Sequence, residues 1–285
     1  MARTSAIKHS TTLKIFSESQ EKIVDHLCVE EPLLIYLSWD IDEKRQQRAF
    51  GLTMRTPGDD ESLAVGLLYA EGLIRQSGDI LSIDRDVPDE NKDNTINVYL
   101  KTEPELSGRG LDRQFSSYSA CGVCGKTSLK AIEMMDPPVT VFDGEPLSIE
   151  LIQKIQKDLS EQQSLFIETG GSHASALFST EGELLAIKED IGRHNALDKL
   201  IGHQLQYAPK QLADGILLVS GRASFELMQK TVMAGIPFMI AVGAPSSMAL
   251  MLAQRFDITL IGFLRDDRFN VYHGQHRIDL NTAGK

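Results

Sequence analysis

Two patterns in the chain predict an α/β fold preceded by a smaller α+β layer. In the C-terminal third, short continuous apolar runs (215–220, 237–243 and 258–264) alternate with stretches of helical spacing (224–234 and 246–255). Strands buried on both faces read as unbroken apolar runs, and intervening helices make crossovers, so this region is βαβαβ with a partly parallel sheet flanked by helices. In the first hundred residues, short strand-like runs surround one helical stretch, the pattern of a small α+β layer. The expected boundaries are a disordered tail over 1–12, a smaller α+β domain over 13–110, a mobile loop and helix bearing two cysteines over 111–135, and an α/β domain over 136–285.

Taken in order, residues 1–12 are polar and without periodicity, which predicts a loose tail. Strands are expected over 33–39 (LLIYLSW) and 47–54 (QRAFGLTM), joined by a charged turn around 40–45. Leu63, Leu67, Ala70 and Ile74 then share one helical face, with Asp59, Asp60 and Glu61 at the start, where acidic groups complement the helix dipole. Residues 80–83 and 96–100 read as strands. The stretch 102–125, poor in large apolar residues and rich in Gly and Ser, reads as a mobile surface loop, and 126–135 as a helix. Leu147, Leu151, Ile155 and Leu159 recur every four residues and predict a helix over 147–162. Strands are expected over 165–168, 174–179 and 183–187, the last two joined as a hairpin by Glu181-Gly182, followed by a helix over 194–206.

The chain has 285 residues, a formal net charge of −11 and three cysteines. That charge argues against a general nucleic-acid binder. No apolar run is long enough to span a bilayer, and the N-terminus has no apolar signal segment, so no membrane association and a cytoplasmic location are expected. Three cysteines do not make a disulfide framework, and Cys28, in an apolar context, reads as a small buried hydrophobe.

Cys121 and Cys124 stand in Ser-Ala-Cys-Gly-Val-Cys-Gly-Lys. Two thiols at this spacing can share a metal, close a small disulfide, or let one sulfur guard the other. The neighbouring glycines leave the sulfurs unshielded, and the helix expected from Lys126 favours a thiolate at Cys124. Zinc would require a further pair of ligands, such as His173 or His194, since no second CxxC occurs.

In an open parallel sheet, ligands bind beyond the carboxyl ends of the strands. Three such ends carry suggestive segments: 220–224 with Arg222 and Ser224, 243–247 with Ser246, and 262–268 with Phe263, Leu264, Arg265, Asp266, Asp267 and Arg268. Ser224 and Ser246 are expected helix N-caps, and the arginines suit phosphate oxygens. Equally, small residues can serve tight turns and arginines can be solvated; the acidic pair Asp266-Asp267 counts against an anion site. Neither GxxxxGK[ST] nor GxGxxG occurs, which disfavours an ordinary ATPase or Rossmann site. A second polar cluster comprises Gly170-Gly171-Ser172-His173 and Glu189 to Asn195, where His173 and His194, brought close by the hairpin, are candidates to orient a substrate or move a proton.

These motifs together, Cys121-Gly-Val-Cys124-Gly, Gly170-Gly-Ser-His173-Ala, Glu189-Asp-Ile-Gly-Arg-His194-Asn-Ala-Leu-Asp198, Ser220-Gly-Arg222-Ala-Ser224-Phe-Glu226 and Gly262-Phe263 followed by Arg268, resemble those of the formate dehydrogenase accessory sulfurtransferases, the FdhD/NarQ family. The resemblance spans the chain from about residue 30. It implies a cytidine-deaminase-like C-terminal domain, a homodimer, and a persulfide sulfur carrier. The implied sulfur donor is a cysteine desulfurase. The acceptor is the bis-molybdopterin guanine dinucleotide molybdenum cofactor, bound as substrate before it enters formate dehydrogenase. A guanine nucleotide could mimic that cofactor. Carried onto this chain, Cys121 is the persulfide residue, Cys124 its partner, and residues 263–268 part of the cofactor-binding loop. Two readings compete: a zinc-dependent deaminase, disfavoured because Ser175 stands where that signature needs Glu and the cysteines precede the histidine, and a non-catalytic cofactor-binding chaperone.

Overall fold

The computed structural model describes residues 5–85, 92–105, 129–133, 135–140 and 142–280. Strands β1 (Ile7–Ile15) and β2 (Gln20–Cys28) pair antiparallel as a two-stranded ribbon, with Ile7 opposite Cys28. The loose tail expected over 1–12 is thus contradicted from Ile7 onward, where β1 begins. Most of the ribbon is open to solvent, Leu13, Ile15 and Val24 included, so no buried face imprints an apolar period on its sequence.

Strands β3 (Glu31–Ile41), β4 (Lys44–Arg55), β5 (Ile80–Asp84) and β6 (Thr95–Leu100) form a four-stranded sheet in the order β4-β3-β6-β5. The β3–β4 hairpin is longer than expected because the charged residues around 40–45 continue the ladder, closing on Ile41 opposite Lys44. Helix α1 (Asp60–Ala70) starts from a corner in which Gly58 and Asp59 both take positive φ, 110° and 54°.

Helix α2 (Leu129–Glu133) is the described part of the helix expected over 126–135. Strand β7 (Leu147–Ser148) leads into α3 (Ile149–Gln162), capped by the Ser148 hydroxyl, which accepts from the Leu151 N–H at 3.1 Å. The run 165–168, expected as a strand, lies within a helix, α4 (Ser164–Thr169). The Glu189 carboxylate decides this, accepting from the Leu165 and Phe166 N–H groups, each at 2.9 Å. Short apolar runs do not distinguish helix from strand, and here a distant carboxylate at the helix start settles the choice.

The remaining elements are β8 (His173–Phe178), β9 (Leu184–Asp190), α5 (Arg193–Tyr207), α6 (Lys210–Ala213), β10 (Ile216–Val219), α7 (Phe225–Met233), β11 (Phe238–Ala241), α8 (Ser247–Arg255), β12 (Thr259–Arg265), β13 (Arg268–His273) and β14 (Ile278–Asp279), the last paired with β7. They build a six-stranded sheet in the order β13-β12-β11-β10-β8-β9. Strands β10, β11 and β12 are parallel, as the alternation of strand and helix requires, while β8 and β13 run antiparallel to their inner neighbours. The expected loop at 262–268 is instead the β12–β13 hairpin, with Arg265 opposite Arg268.

Both faces of this sheet are buried. Ile216, Leu218, Phe238 and Ile240 pack on one side with Ile152, Ile155 and Leu159 of α3. Leu217, Val219, Met239 and Leu260 belong to a larger core on the other side. That core continues through Leu197 and Leu200 of α5 and Leu63 and Leu68 of α1 to Leu33, Ile35, Ile96 and Val98 of the four-stranded sheet. Helices α1 and α5 meet without intervening side chains. A Cβ on Gly66 would stand 1.9 Å from the Asp198 carbonyl oxygen, and one on Gly202 would stand 1.9 Å from that of Ser62. No helix among the described residues is long and apolar enough to cross a membrane.

Candidate functional site

The carboxyl ends of β10, β11 and β12 are fused into one rim by close backbone contacts. Gly243 N–H donates to the Gly221 carbonyl at 2.9 Å, Ser246 N–H to that of Ala223 at 2.9 Å, and Phe263 N–H to that of Gly243 at 3.1 Å. A Cβ on Gly243 would lie 2.9 Å from Arg222 Cα, and one on Gly262 would lie 2.8 Å from Pro245 Cδ, so glycine at both positions permits the approach. Phe263 sits at a break in the β12–β13 register with φ 53°, in the left-handed region that a bulky side chain rarely adopts, and the residue is 41% exposed. Such strain at a rim of close-packed backbone is a mark of a functional position.

The side chains expected at this rim divide by what holds them. Arg222 and Arg268 are exposed, without a hydrogen bond or ion pair among the described residues. Arg265 is committed: its Nη1 donates to the Val242 and Leu264 carbonyls at 2.7 and 2.6 Å, which ties the hairpin to the end of β11. Leu264 is fully buried, so its side chain belongs to the core and not to a ligand surface. Ser224 and Ser246 are N-caps, accepting from the Leu227 and Ala249 N–H groups. Asp266 accepts from Gln156 Nε2 at 3.2 Å, and with Asp267 it forms the turn between β12 and β13.

The second cluster separates similarly. Asp190, fully buried, accepts from Thr56 N–H, Gly192 N–H and Asn195 Nδ2 and pairs with Lys199 at 2.7 Å. Glu189 anchors α4 and also accepts from the Ser172 hydroxyl at 2.8 Å. These acids, with Asn195, are therefore architectural rather than substrate-orienting. His173 and His194 are the members left, and His173 is the one placed at the rim. His173, opposite Asp190 in the β8–β9 ladder, lies over Gly221. Burial foremost, then Arg193, lowers its pKa. His194 is pushed down to about 4 by burial, with Lys230 and Arg193 adding to the shift and Glu226, 3.9 Å away, opposing it. Both imidazoles are thus favoured as neutral groups near pH 7. Behind them, Lys230 and Asp198 form a buried pair at 2.7 Å, with burial lifting Asp198 to about 6.

Arg193, part of the second polar cluster in the sequence but not among its candidate site residues, stands with these histidines. The available signal was its place at the first turn of α5, beside His194. Cys121 and Cys124 lie outside the described residues. Among those described, no three His, Cys, Asp or Glu side chains gather into a metal site. A cleft of about 250 Å³ lies off the rim, between the β4–α1 corner, the α3–α4 junction and β9, and the ammonium of Lys199 lining it is already bonded to Asp190 and to the Thr56 carbonyl.

The fold and this rim define a mixed-sheet α/β protein with a candidate ligand crevice at the carboxyl ends of parallel strands. The chain belongs to the FdhD/NarQ family, which it matches over residues 28–279. It is 44% identical over 265 residues to the sulfur carrier protein FdhD of Streptomyces avermitilis, covering 91% of each chain. It is 38% identical over 257 residues to that of Sulfolobus acidocaldarius, covering 90% of this chain and 92% of the other. Its fold matches the crystal structure of a putative formate dehydrogenase accessory protein from Desulfotalea psychrophila, with a TM-score of 0.72 at 24% identity, covering 96% of this chain and 100% of the other.

Proposed function

We propose that the chain is a sulfur carrier serving formate dehydrogenase maturation. In this reading the Cys121 thiolate attacks the terminal sulfur of a cysteine desulfurase persulfide. The donor S–S bond breaks, a new one forms at Cys121, and the donor leaves as a thiolate. Cys124 guards or tunes the loaded sulfur. The recipient is the bis-molybdopterin guanine dinucleotide molybdenum cofactor, bound as substrate along the rim before insertion into formate dehydrogenase. The protein works in the cytoplasm as a homodimer. The mixed sheet with helices on both faces suits the cytidine-deaminase-like architecture that the family resemblance implies.

Family membership, with relatives named sulfur carriers at 44% and 43% identity, supports the sulfur role. The observation that carries the cofactor reading is the rim itself. An exposed Phe263 held in the left-handed region offers a stacking face for a base, and Arg222 and Arg268, on the segments at two of these strand ends, are exposed and without ion pairs among the described residues. Neutral His173 and His194 supply hydrogen-bond donors or acceptors without added charge.

The reading is tested in a strain lacking its own copy of this protein, by supplying the wild type, Cys121→Ala or Cys124→Ala and assaying formate dehydrogenase. Wild type restores activity and Cys121→Ala does not. Full restoration by both cysteine variants would instead establish a chaperone that only binds the cofactor.

A further inference from the structure

The β1–β2 ribbon is nine residue pairs long and is fastened at one end. There Val29 N–H donates to the Ala6 carbonyl at 2.9 Å, Cys28 Sγ lies 3.2 Å from Thr56 Oγ1, and His26 Nδ1 lies 3.1 Å from a carboxylate oxygen of Glu168 in α4. From Thr11 to Val24, no hydrogen bond or ion pair among the described residues joins the ribbon to another element. Two strands without a third strand or a covering helix are barely stable in water, so the outer half of the ribbon lacks a layer to rest on.

The two faces of that outer half differ. Opposite residues of an antiparallel pair share a face, so Thr11, Leu13 and Ile15 of β1 stand with Val24, Lys22 and Gln20 of β2. Of the five Lys, Glu and Asp residues in the two strands, only Lys22 is on this face; Lys8, Lys14, Glu21 and Asp25 lie on the other, with Lys14 opposite Glu21. Leu13 is 47%, Ile15 73% and Val24 64% exposed. At its base the same face carries His26, which meets α4, and α4 in turn leaves Phe166 and Ile167 open. Apolar side chains gathered on one charge-poor face mark an interaction surface, unlike the single ones scattered over any protein.

Charge selects the occupant. Residues 5–28 hold three lysines and three acids and are formally neutral, so the net charge of −11 lies elsewhere in the chain. A partner recognised by charge needs a charged face, and the ribbon offers none. Two copies of the chain repel each other through their acidic bodies, and an arm without net charge is where they meet with least repulsion.

We propose that a second copy of the chain covers this face, the outer halves of two ribbons packing about a two-fold axis with Leu13, Ile15 and Val24 of each copy against those of the other. This rests on the homodimer of the reading above and deepens it by naming the interface.

The test is sedimentation velocity of the full chain over a range of concentrations, comparing wild type with Leu13→Glu/Val24→Glu and with Lys14→Glu, which makes the same change in charge on the opposite face. Circular dichroism verifies that each variant is folded. Wild type and Lys14→Glu are expected to form the same dimer, with dissociation constants within about threefold, while Leu13→Glu/Val24→Glu raises that constant at least about thirtyfold. Should the double variant not fold, Val24→Ser, expected to weaken the dimer at least about fivefold, carries the test. A folded double variant that dimerises as tightly as wild type, or a Lys14→Glu protein weakened as strongly as the double variant, overturns the ribbon interface alone. A monomeric wild type overturns the homodimer together with it.

Discussion

The Lys199 ammonium lies 2.7 Å from Asp190 Oδ2, with both side chains sealed from solvent, and also donates to the Thr56 carbonyl at 2.8 Å. Thr56 follows β4 in the N-terminal sheet, whereas Asp190 ends β9 in the other, so one buried ion pair joins the two. Its loss leaves an uncompensated buried charge at that junction. Lys199→Met is expected to cost about 3–5 kcal/mol, measured by urea unfolding. The double variant Lys199→Met/Asp190→Leu is expected to recover part of that loss, because no lone charge remains.

The contact of α1 with α5 depends on two missing Cβ atoms. Gly66→Ala and Gly202→Ala each set a methyl group 1.9 Å from a backbone carbonyl oxygen, a clash that only separation of the helices can relieve. Each is expected to destabilise by about 1–3 kcal/mol or more, seen as a lowered Tm. An unchanged Tm in either would mean that the helices lie farther apart than described.

His194 makes stability depend on pH. Its folded pKa, about 4, lies below the ordinary 6.5, so between these values the unfolded chain binds more protons than the folded one. The contribution of neutral His194 is complete above pH 6.5 and is lost as pH falls toward 4. Compared with His194→Gln, the wild type is expected to lose up to about 2 kcal/mol more between pH 7 and pH 5, in denaturant melts at the two pH values. Parallel losses in both proteins would contradict this assignment.

The rim arginines differ in what they hold. Arg265 closes the end of the β12–β13 hairpin onto β11, so Arg265→Ala is expected to lower Tm. Arg222 and Arg268 are exposed, so Arg222→Ala and Arg268→Ala are expected to leave Tm unchanged while weakening guanine nucleotide binding, read by calorimetry and thermal shift.

The fold was legible in the sequence wherever burial imprints a period. Ile216–Val219 and Phe238–Ala241 are covered on both faces and appear as unbroken apolar runs; α3 is covered on one and shows its four-residue spacing. The ribbon β1–β2 is covered on almost neither and left no pattern. Helix α4 depends on Glu189, two dozen residues downstream, a contact that a local window does not contain. In the site, the glycine- and serine-rich strand ends were legible as turns and caps. Which charges are free was not, because that depends on the partners each finds in space: Arg265 and Glu189 are occupied, and Arg193 is not.

The proposed role requires a persulfide at Cys121, and the most direct measurement is mass spectrometry of the protein after incubation with a cysteine desulfurase and cysteine, without reductant. The expected result is the added mass of one sulfur atom on the peptide containing Cys121, removable by reductant and absent from Cys121→Ala. Sulfur that still accumulates on Cys121→Ala, or a wild-type protein that takes up none, would contradict it.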